Sequence, residues 1–463
     1  MKKYTAYKLI FLPIILFTLQ SCFTAKNYTR PEVVDDASYR TDQLPEDSLT
    51  IATVSWQELF TDEVLSGYIE DGLQNNIDIR MALQQIEAAE AYYRQGRNAQ
   101  YPELNVGGQV AHQRFSDNSQ SGGGDVTQYD LSGTLSWEAD IWGRIRSNQR
   151  AFEASYLQTV AAHKAVKTEL IANIASVYFQ LLALDEQRRI AEVSISNRES
   201  SLETTKALKD AGYVTEVGVK QTEAQLYSSR SLLIDIKTNI KLLENTMSIL
   251  LGEVPGDINR SHLDQQNFNE QLHTGFPVQL LRNRPDVIAA EYNLINAFEL
   301  VNVARSNLYP SLNISATGGF QSLDLDNLLS INSLFSNVIG SLTQPILNGR
   351  RIRTQYEVAQ TQEEQAYLNF RRAILNGSRE VSDAMYSYKA AGEKVEVESQ
   401  QYDAYDTATR YSEELLENGL INYLEVLTAR ESALNAQLNV INARVDRLDS
   451  VVELYRALGG GWQ

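Results

Sequence analysis

The chain has 463 residues, of which 43% are hydrophobic and 22% are charged, and its mean hydropathy is −0.31. These values are typical of a folded chain and exclude both intrinsic disorder and a multi-pass helical membrane protein. The formal net charge of −18 makes nucleic acid an unfavourable partner, because a phosphate backbone attracts cations. With a single cysteine and four histidines, the chain has neither a disulfide scaffold, a CxxC redox site nor a cysteine-rich zinc site.

The N-terminus has the pattern of an export signal. Lysines at positions 2, 3 and 8 precede an apolar run from Leu9 to Leu19, which is too short to span a bilayer. The next residues, Gln20-Ser21-Cys22, complete a resemblance to the lipobox of bacterial lipoproteins, in which the cysteine is acylated. We therefore predict a signal peptide over 1–21, lipid attachment at Cys22 and an N-terminal anchor segment over 22–60. The alternative is a plain signal peptide followed by an incidental cysteine.

The rest of the chain contains two copies of one unit. Tyr101-Pro102 recurs as Tyr309-Pro310 at a spacing of 208 residues, and Gly143-Arg144 recurs as Gly349-Arg350 at a spacing of 206. Three further landmarks repeat at 207 or 208 residues: 76–79 with 284–287, Gly212 with Gly419, and Leu251-Gly252 with Leu458-Gly459. The common spacing indicates a duplicated unit. We place the first repeat at 61–252, a connecting segment at 253–283 and the second repeat at 284–463.

Each repeat has the same order of periodicities. A helix that ends at Tyr-Pro comes first, because the residue before a proline is pushed out of the α region. A β-hairpin, a long helix and a return helix follow, and a glycine separates the last two. The predicted elements are 77–100, 103–140, 144–211 and 215–251 in the first repeat, and 286–309, 311–347, 350–418 and 420–458 in the second. The return helices carry apolar residues at spacings of three and four, which predicts packing as coiled coils.

Alternation with a period of two predicts four strands of about ten residues, long enough to cross a bilayer when tilted. Four strands cannot close a barrel, and an open edge in lipid leaves backbone groups unpaired, so further copies of the chain should complete the barrel. A soluble sandwich or hairpin pair is the alternative, although it gives the long helices no role. The residues expected to face lipid are Tyr129, Leu131, Leu135, Trp137, Leu312, Ile314 and Phe320.

Several motifs add to these features: 56–65, Arg284-Pro285-Asp286-Val287, the Gly-Arg turns at 143 and 349, 424–427 and the ending 455–462. With them, the chain resembles the TolC-like outer-membrane channels, in particular the lipoprotein branch of OprM/NodT type. The resemblance implies a mainly α fold with a small β part, built from a duplicated helix–hairpin–helix unit. It further implies a homotrimer whose twelve-stranded transmembrane β-barrel is continued by a twelve-helix periplasmic α-barrel.

The same resemblance implies a function. The trimer would be a passive exit channel for small molecules, anchored by lipid in the cell outer membrane and extending into the periplasm. A periplasmic adaptor and an inner-membrane RND-type transporter would be its partners and would supply the driving energy. The same architecture also serves type I protein secretion, which is one alternative. A coiled-coil scaffold lipoprotein without a pore is an alternative from a different class.

A conduit needs a gate, which we expect at the helix reversals furthest from the strands. A carboxylate repeated by threefold symmetry forms a ring that attracts cations and repels anions. The resemblance implies that Glu425, six residues after the second reversal glycine, faces the lumen at the constriction. An ordinary solvated acidic helix face is the alternative for each acid. The predicted gate residues are Asp210, Gly212, Glu216, Glu417, Gly419 and Glu425.

Three residues where strands give way to long helices are candidate membrane anchors: Trp142, Arg144 and Arg350. A helix N-terminus disfavours cations, so another interaction should hold the arginines. We expect these residues to anchor the protein at the periplasmic edge of the membrane. Solvated charge and internal salt bridges are the alternatives.

Enzyme signatures are missing from the sequence. The four histidines show no HExxH spacing, no GxSxG elbow occurs, and neither Gly-Gly-Gly run is followed by the Lys-Ser/Thr of a phosphate-binding loop. We therefore predict no catalysis, no cofactor and no metal site.

Overall fold

In the computed structural model of the chain, residues 25–31, 54–118, 123–266 and 283–462 are described. The predicted signal peptide, Cys22 and much of the predicted anchor and connecting segments lie outside these residues. The chain divides into two compact units. The first unit comprises 1–32, 86–159 and 290–370, and the second comprises 33–85, 160–289 and 371–463. Each unit therefore takes residues from both sequence repeats.

Helices account for most of the described chain. They are α1 (Trp56–Leu59), α2 (Glu63–Asn75), α3 (Ile77–Asn98), α4 (Arg144–Asp210), α5 (Glu216–Leu250), α6 (Pro285–Ser306), α7 (Arg351–Glu417) and α8 (Tyr423–Ala457). The twelve ends of the six helices predicted from the sequence differ from the expected bounds by three residues at most. Among the described helices, none combines the length and the hydropathy needed to cross a membrane.

Two of these helices, α1 and α2, were not predicted from the sequence. Ser55 caps α1 by accepting a hydrogen bond from the Glu58 backbone N–H. Asp62 caps α2, and its Oδ1 atom accepts from the backbone N–H groups of Val64 and Leu65 at 2.8 and 3.2 Å. Both are short side chains whose oxygen atoms satisfy the unpaired donors of a first helical turn. The caps were readable in the sequence, whereas the short α1 carries too little periodicity to be recognised.

The expected start of α7 at Arg350 is wrong. Arg350 has a φ angle of 67°, and the helix begins one residue later, at Arg351. Gly349 and Arg350 together form the turn. The left-handed backbone is costly at Arg350, because this residue has a β-carbon. The first repeat differs at this point: Gly143 alone has a positive φ, of 77°, and Arg144 is the first residue of α4.

The four strands β1 (Glu103–Phe115), β2 (Gly124–Ala139), β3 (Ser311–Ser322) and β4 (Leu334–Thr343) form one antiparallel sheet in the order β1-β2-β3-β4. The two predicted hairpins are therefore joined through β2 and β3. Among the described strands, β1 and β4 pair on one side only. The sheet lies wholly within the first unit.

The main apolar core lies in the second unit. Its largest fully buried side chains include Tyr178 and Phe179 of α4, Leu65 of α2 and Met247 of α5. Phe60, which follows α1, packs its ring against Phe179 at a centroid distance of 6.5 Å. The segment 54–75 is therefore part of the helix packing rather than a loose leader to it.

Candidate channel face and helix reversals

The register of the sheet brings the seven predicted lipid-facing residues to one face. Leu131 lies opposite Phe320, and Trp137 lies opposite Ile314. Residues that lie directly opposite each other in antiparallel strands share a face. Tyr129, Leu135 and Leu312 lie on this face by the same register, and Leu104, Val106, Val110, Val338 and Leu342 extend it across the edge strands. We call this surface the apolar face of the sheet.

Large side chains of the apolar face are accessible in the single chain. Leu131, Leu135 and Trp137 of the central strand β2 remain about 40% exposed, and Val106 of the edge strand β1 is 75% exposed. A contiguous exposed apolar surface of this extent marks a site of contact with lipid or with another protein. The apolar face therefore needs an environment other than water.

The opposite face of the sheet is polar. Asp130 lies opposite Gln321, and Glu138 lies opposite Asn313. The hydroxyl oxygens of Thr134 and Thr317 lie 3.0 Å apart across the β2–β3 pair. One face can thus meet hydrocarbon while the other meets water, which is the alternation of a transmembrane strand.

Salt bridges hold the arginines at the start of α4. Arg144 donates from Nε to Glu138 Oε1 at 2.9 Å, and Arg150 donates from Nε to Glu299 Oε1 at 2.7 Å. Asp140 accepts from the backbone N–H groups of residues 145 and 146, so a carboxylate caps the positive end of the helix. The pairing with Glu138 is the further interaction that the sequence analysis expected to hold Arg144. Arg350 is exposed and donates to Glu357 at 3.0 Å.

Trp142 makes two contacts with the start of the second hairpin. Its ring stacks on Tyr309 at a centroid distance of 5.0 Å, and its Nε1 atom donates to the carbonyl oxygen of Pro310 at 2.7 Å. The turn between β2 and α4 is therefore fixed to the turn between α6 and β3.

Both helix reversals close in the same way. At the first, the backbone N–H of Gly212 donates to the carbonyl of Lys209 and that of Tyr213 to the carbonyl of Leu208, each at 2.9 Å. Gly419 and Leu420 repeat the pattern at the second reversal. The two glycines have φ angles of 85° and 70°, which a residue with a side chain rarely adopts. Both glycines lie where the sequence predicts the ends of the long helices.

The charges at the two reversals differ. Glu216 pairs with Lys209 at 2.8 Å, and this hydrogen-bonded ion pair holds the pKa of Glu216 below its usual range. Glu425 accepts from Asn422 Nδ2 at 3.2 Å, while Asn422 caps α8 by accepting from the Glu425 backbone N–H. Asp210, Glu417 and Glu425 form no salt bridge with another described residue. Both reversals therefore keep uncompensated negative charge, Asp210 at the first and Glu417 and Glu425 at the second.

Two stretches of the chain, 68–253 and 276–460, match the family model described as outer membrane efflux protein. The chain belongs to the outer membrane efflux protein family. The matched stretches lie largely in the two sequence repeats, so the duplication is the part of the chain that the family shares. The family is one of efflux conduits. The parts of this efflux protein that the structure describes contain no group of three histidine, cysteine, aspartate or glutamate side chains that could hold a metal ion.

Individual relatives cover nearly the whole chain. The solvent efflux pump outer membrane protein SrpC of Pseudomonas putida is 27% identical over 96% of this chain and 97% of its own length. The probable outer membrane lipoprotein SilC of Salmonella typhimurium is 27% identical over 98% and 99%. The solved structure of the outer-membrane channel OprN is 25% identical with a TM-score of 0.89, over 95% of this chain and 100% of that one. The expected mainly helical fold, outer-membrane location and efflux function are confirmed.

The efflux protein also contains a charged network that the sequence analysis missed. Arg198 of α4 is 8% exposed and donates from Nη2 to Glu431 of α8 at 2.5 Å. Arg430 of α8 pairs with Glu413 of α7 at 2.6 Å and donates to Ser201 of α4. Four residues of this network line a cavity of about 720 Å³ among α4, α7 and α8, near the reversals: Arg198, Ser201, Glu413 and Arg430.

A signal for this network was present in the sequence. Arg198 follows Ile195 by three residues and precedes Leu202 by four, so it occupies an apolar seam position of α4. A guanidinium at such a position needs a buried partner. The sequence does not say which of the many acids of α7 and α8 supplies it.

Proposed function

We propose that three copies of the chain assemble into a passive exit duct that crosses the outer membrane and continues into the periplasm. The open amphipathic sheet carries this proposal. In hydrocarbon, each unpaired backbone group of β1 and β4 would cost several kcal/mol, so the edges require partners. Two copies would supply eight strands, and side chains fill the interior of an eight-stranded barrel. Three copies would supply twelve strands and leave a water-filled bore. The TolC-like resemblance supports the same number.

In this assembly the apolar face meets lipid and the polar face lines the bore. Strands of 13, 16, 12 and 10 residues reach or exceed the length that a tilted transmembrane strand requires. Trp142 and Arg144, at the end of β2, mark the periplasmic edge of the membrane, where aromatic and basic side chains are enriched. Arg350, in the turn between β4 and α7, marks the same edge of the membrane.

A periplasmic adaptor and an RND-type inner-membrane transporter complete the pump in this proposal. A passive duct has no energy source, and the sequence carries no phosphate-binding loop. SrpC, which is similar to this chain over nearly its whole length, is named as the outer membrane protein of an efflux pump. The exported compounds are then small molecules selected by the transporter.

The proposal includes lipid attachment at Cys22. Four residues later the chain is fixed to α6: Lys26 donates its backbone N–H to Asn302 Oδ1 at 3.1 Å, and Asn302 Nδ2 donates to the Lys26 carbonyl at 3.0 Å. Arg30 pairs with Glu291 at 3.3 Å. A segment held in this way keeps the proposed anchor close to the first unit. Cys22→Ser should abolish acylation, and continued labelling by a radioactive fatty acid would contradict it.

In the proposed duct, the second reversal narrows the bore. Its supporting observation is that both predicted gate carboxylates of the second reversal, Glu417 and Glu425, are uncompensated. At the first reversal only Asp210 is, because Glu216 pairs with Lys209. Three copies would place six carboxylates around one axis, which favours cations over anions in the narrow part.

Two measurements on the detergent-solubilised mature protein test the assembly. Native mass spectrometry should give a trimer, and addition to a planar bilayer should give stepwise conductance. A monomer that leaves the bilayer electrically silent would overturn the proposal. A trimer without conductance would retain the assembly and remove the open bore.

A further inference from the structure

The two hairpins of the sheet end in loops of opposite character. The loop of the first hairpin, over 116–123, consists only of serine, aspartate, asparagine, glutamine and glycine. The loop of the second hairpin, over 323–333, contains four leucines and one isoleucine. We call the segment 323–333 the apolar loop. Both loops lie at the end of the sheet away from the long helices, because β2 leads into α4 and β4 leads into α7.

The apolar loop has a fixed backbone but does not bury its own apolar side chains. It contains two short 3-10 turns, Leu325–Asn327 and Ile331–Ser333. The Ser333 hydroxyl joins the turns by donating to the Asn327 carbonyl oxygen at 2.7 Å. The exposed fractions are 62% for Leu323 and Leu325, 72% for Leu329 and 79% for Ile331. The loop therefore presents apolar side chains outward, which marks a surface that contacts lipid or another protein.

The apolar loop begins where the apolar face of the sheet ends. On the first hairpin, the last pair of this face with large apolar side chains is Val110 and Tyr129. The two pairs beyond it on the same face are polar or charged: His112 with Thr127, and Arg114 with Asp125. Tyr129 also lies opposite Ser322, the last residue of β3. The loop follows Ser322 directly, so it starts at the border between the apolar and the polar part of this face.

The position of this border fits the thickness of a membrane. From Ala139 to Tyr129 the strand rises by about 33 Å at about 3.3 Å per residue, or by about 23 Å along the membrane normal at a tilt of about 45°. The apolar band of an outer-membrane barrel is about 25 Å tall. Tyr129 is also an aromatic residue of the kind enriched at membrane interfaces. In the proposed duct the border therefore lies at the outer boundary of the hydrocarbon.

We propose that the apolar loop turns outward onto the membrane and inserts Leu325, Leu329 and Ile331 among the acyl chains of the outer leaflet. The inference rests on the proposed duct and gives it a second lipid contact, beyond the strands. The apolar surface is continuous, because Leu334 directly follows the loop, lies opposite Phe320 on the apolar face and is 57% exposed. Amphipathic segments bind at the boundary between head groups and acyl chains in this way.

A neighbouring loop offers the apolar loop no equivalent partner. Within the chain its neighbour is the polar loop of the first hairpin. In a ring of copies, the loop on its other side is again a first loop, because the strand order repeats. The first hairpin also extends further from the helices, since its pairs continue to Phe115 and Gly124. Polar backbone and side chains therefore flank the apolar loop on both sides, and acyl chains are the apolar environment at its level.

A fluorophore on the loop tests its environment directly. Leu329→Cys is labelled with a nitrobenzoxadiazole reagent, and the protein is placed in phosphatidylcholine vesicles that contain a lipid with a nitroxide near the head of its acyl chain. The label should lose most of its fluorescence to the nitroxide and little to iodide in the water. Ser116→Cys is the matched control, because it carries the same apolar label on the exposed loop of the first hairpin. Leu135→Cys is the positive control for lipid contact.

The unsubstituted protein serves as the blank. Its single cysteine, Cys22, carries lipid in the proposed duct, so it should take up no label. A Leu329 label that the nitroxide quenches much more than it quenches the Ser116 label supports the inference. Equal quenching of these two labels by the nitroxide overturns it, because the fluorophore rather than the loop would then seek the lipid.

Two further outcomes separate the loop from the duct. A Leu329 label that iodide quenches and the nitroxide does not, while the nitroxide quenches the Leu135 label, overturns the inference and leaves the duct standing. If this label also lowers the conductance in a planar bilayer, the loop covers the bore instead. A Leu135 label that iodide quenches and the nitroxide does not would remove the lipid-facing sheet, and the duct and the loop contact with it.

Discussion

Arg284 donates from its Nη1 atom to the carbonyl oxygen of Ala457 at 2.8 Å, and this bond joins the start of α6 to the end of α8. Asn76 holds the corresponding position in the first repeat and donates to the Leu250 carbonyl at 2.8 Å, where α3 meets α5. In each repeat a hydrogen bond at the same position therefore closes the contact between the corresponding helices, but the donor side chain differs. Only the second closure is ionic, because Arg284 also lies 2.7 Å from Glu380 of α7.

Arg284→Ala should destabilise the protein strongly. Arg284 is 5% exposed, and its removal leaves the buried carbonyl oxygen of Ala457 and the partly exposed carboxylate of Glu380 without their donor. A buried acceptor left unsatisfied costs about 1 to 3 kcal/mol. Thermal unfolding of the detergent-solubilised protein measures the loss. Arg379→Ala is the control: its side chain is 63% exposed, and a surface pair contributes about 0 to 1 kcal/mol. Equal effects of the two variants would show that the closure is not important for stability.

Leu135→Arg should impair insertion of the barrel. Leu135 lies on the apolar face in the central strand β2, and an arginine near the membrane midplane costs about 2 to 4 kcal/mol in a transmembrane barrel. The amount of trimer in outer-membrane fractions measures the effect. Ser136→Arg is the matched control, because the neighbouring residue points to the polar face. Normal assembly of Leu135→Arg, or equal loss in both variants, would be incompatible with lipid contact at Leu135.

The duplicated elements were predictable because their signals are long. Period-two alternation identified the faces of β2 and β3, and the repeated glycines identified both reversals. The shorter features depended on contacts that a sequence does not display. The turn at Arg350 is an example. Gly349-Arg350 repeats Gly143-Arg144, and the only sequence difference is an additional arginine before Ile352, which does not by itself show a left-handed residue. The partner of Arg198 is another, because α7 and α8 offer many acids and only the packing selects Glu431.

Glu425→Gln should lower the cation preference of the channel. The substitution removes the charge but keeps an oxygen that can accept from Asn422, so the cap of α8 is retained. Reversal potentials across a planar bilayer with a salt gradient give the selectivity. Glu216→Gln is the control at the first reversal, where Lys209 already compensates the charge. An unchanged reversal potential for Glu425→Gln would place Glu425 away from the constriction.

Asp449 of α8 should make stability depend on pH. Burial raises the pKa of its carboxyl from 3.8 to about 6, hydrogen bonds from Ser176 and Gln180 oppose the rise, and the charges of Asp446 and Glu453 add to it. Its Oδ1 atom is buried without a hydrogen-bond partner among the described residues. Between about pH 4 and pH 6 the folded protein binds more protons at this site than the unfolded chain, so stability from this site falls as the pH rises through that window.

Asp449→Asn should therefore stabilise the protein at pH 8, by up to about 3 kcal/mol, and have little effect at pH 4. The difference between the apparent melting temperatures of the variant and the parent, measured from pH 4 to pH 8, should grow as the pH rises and level off above about pH 6. Asp446→Asn is the control, one turn away on the same helix, with a side chain 54% exposed and paired with Lys394 at 2.8 Å. It should lack the rising difference. A carboxyl with a raised pKa is still protonated in the folded protein between pH 4 and pH 6, where the unfolded chain has already lost the proton. If the difference in melting temperature for Asp449→Asn is instead flat across this range, the pKa of the Asp449 carboxyl is not raised.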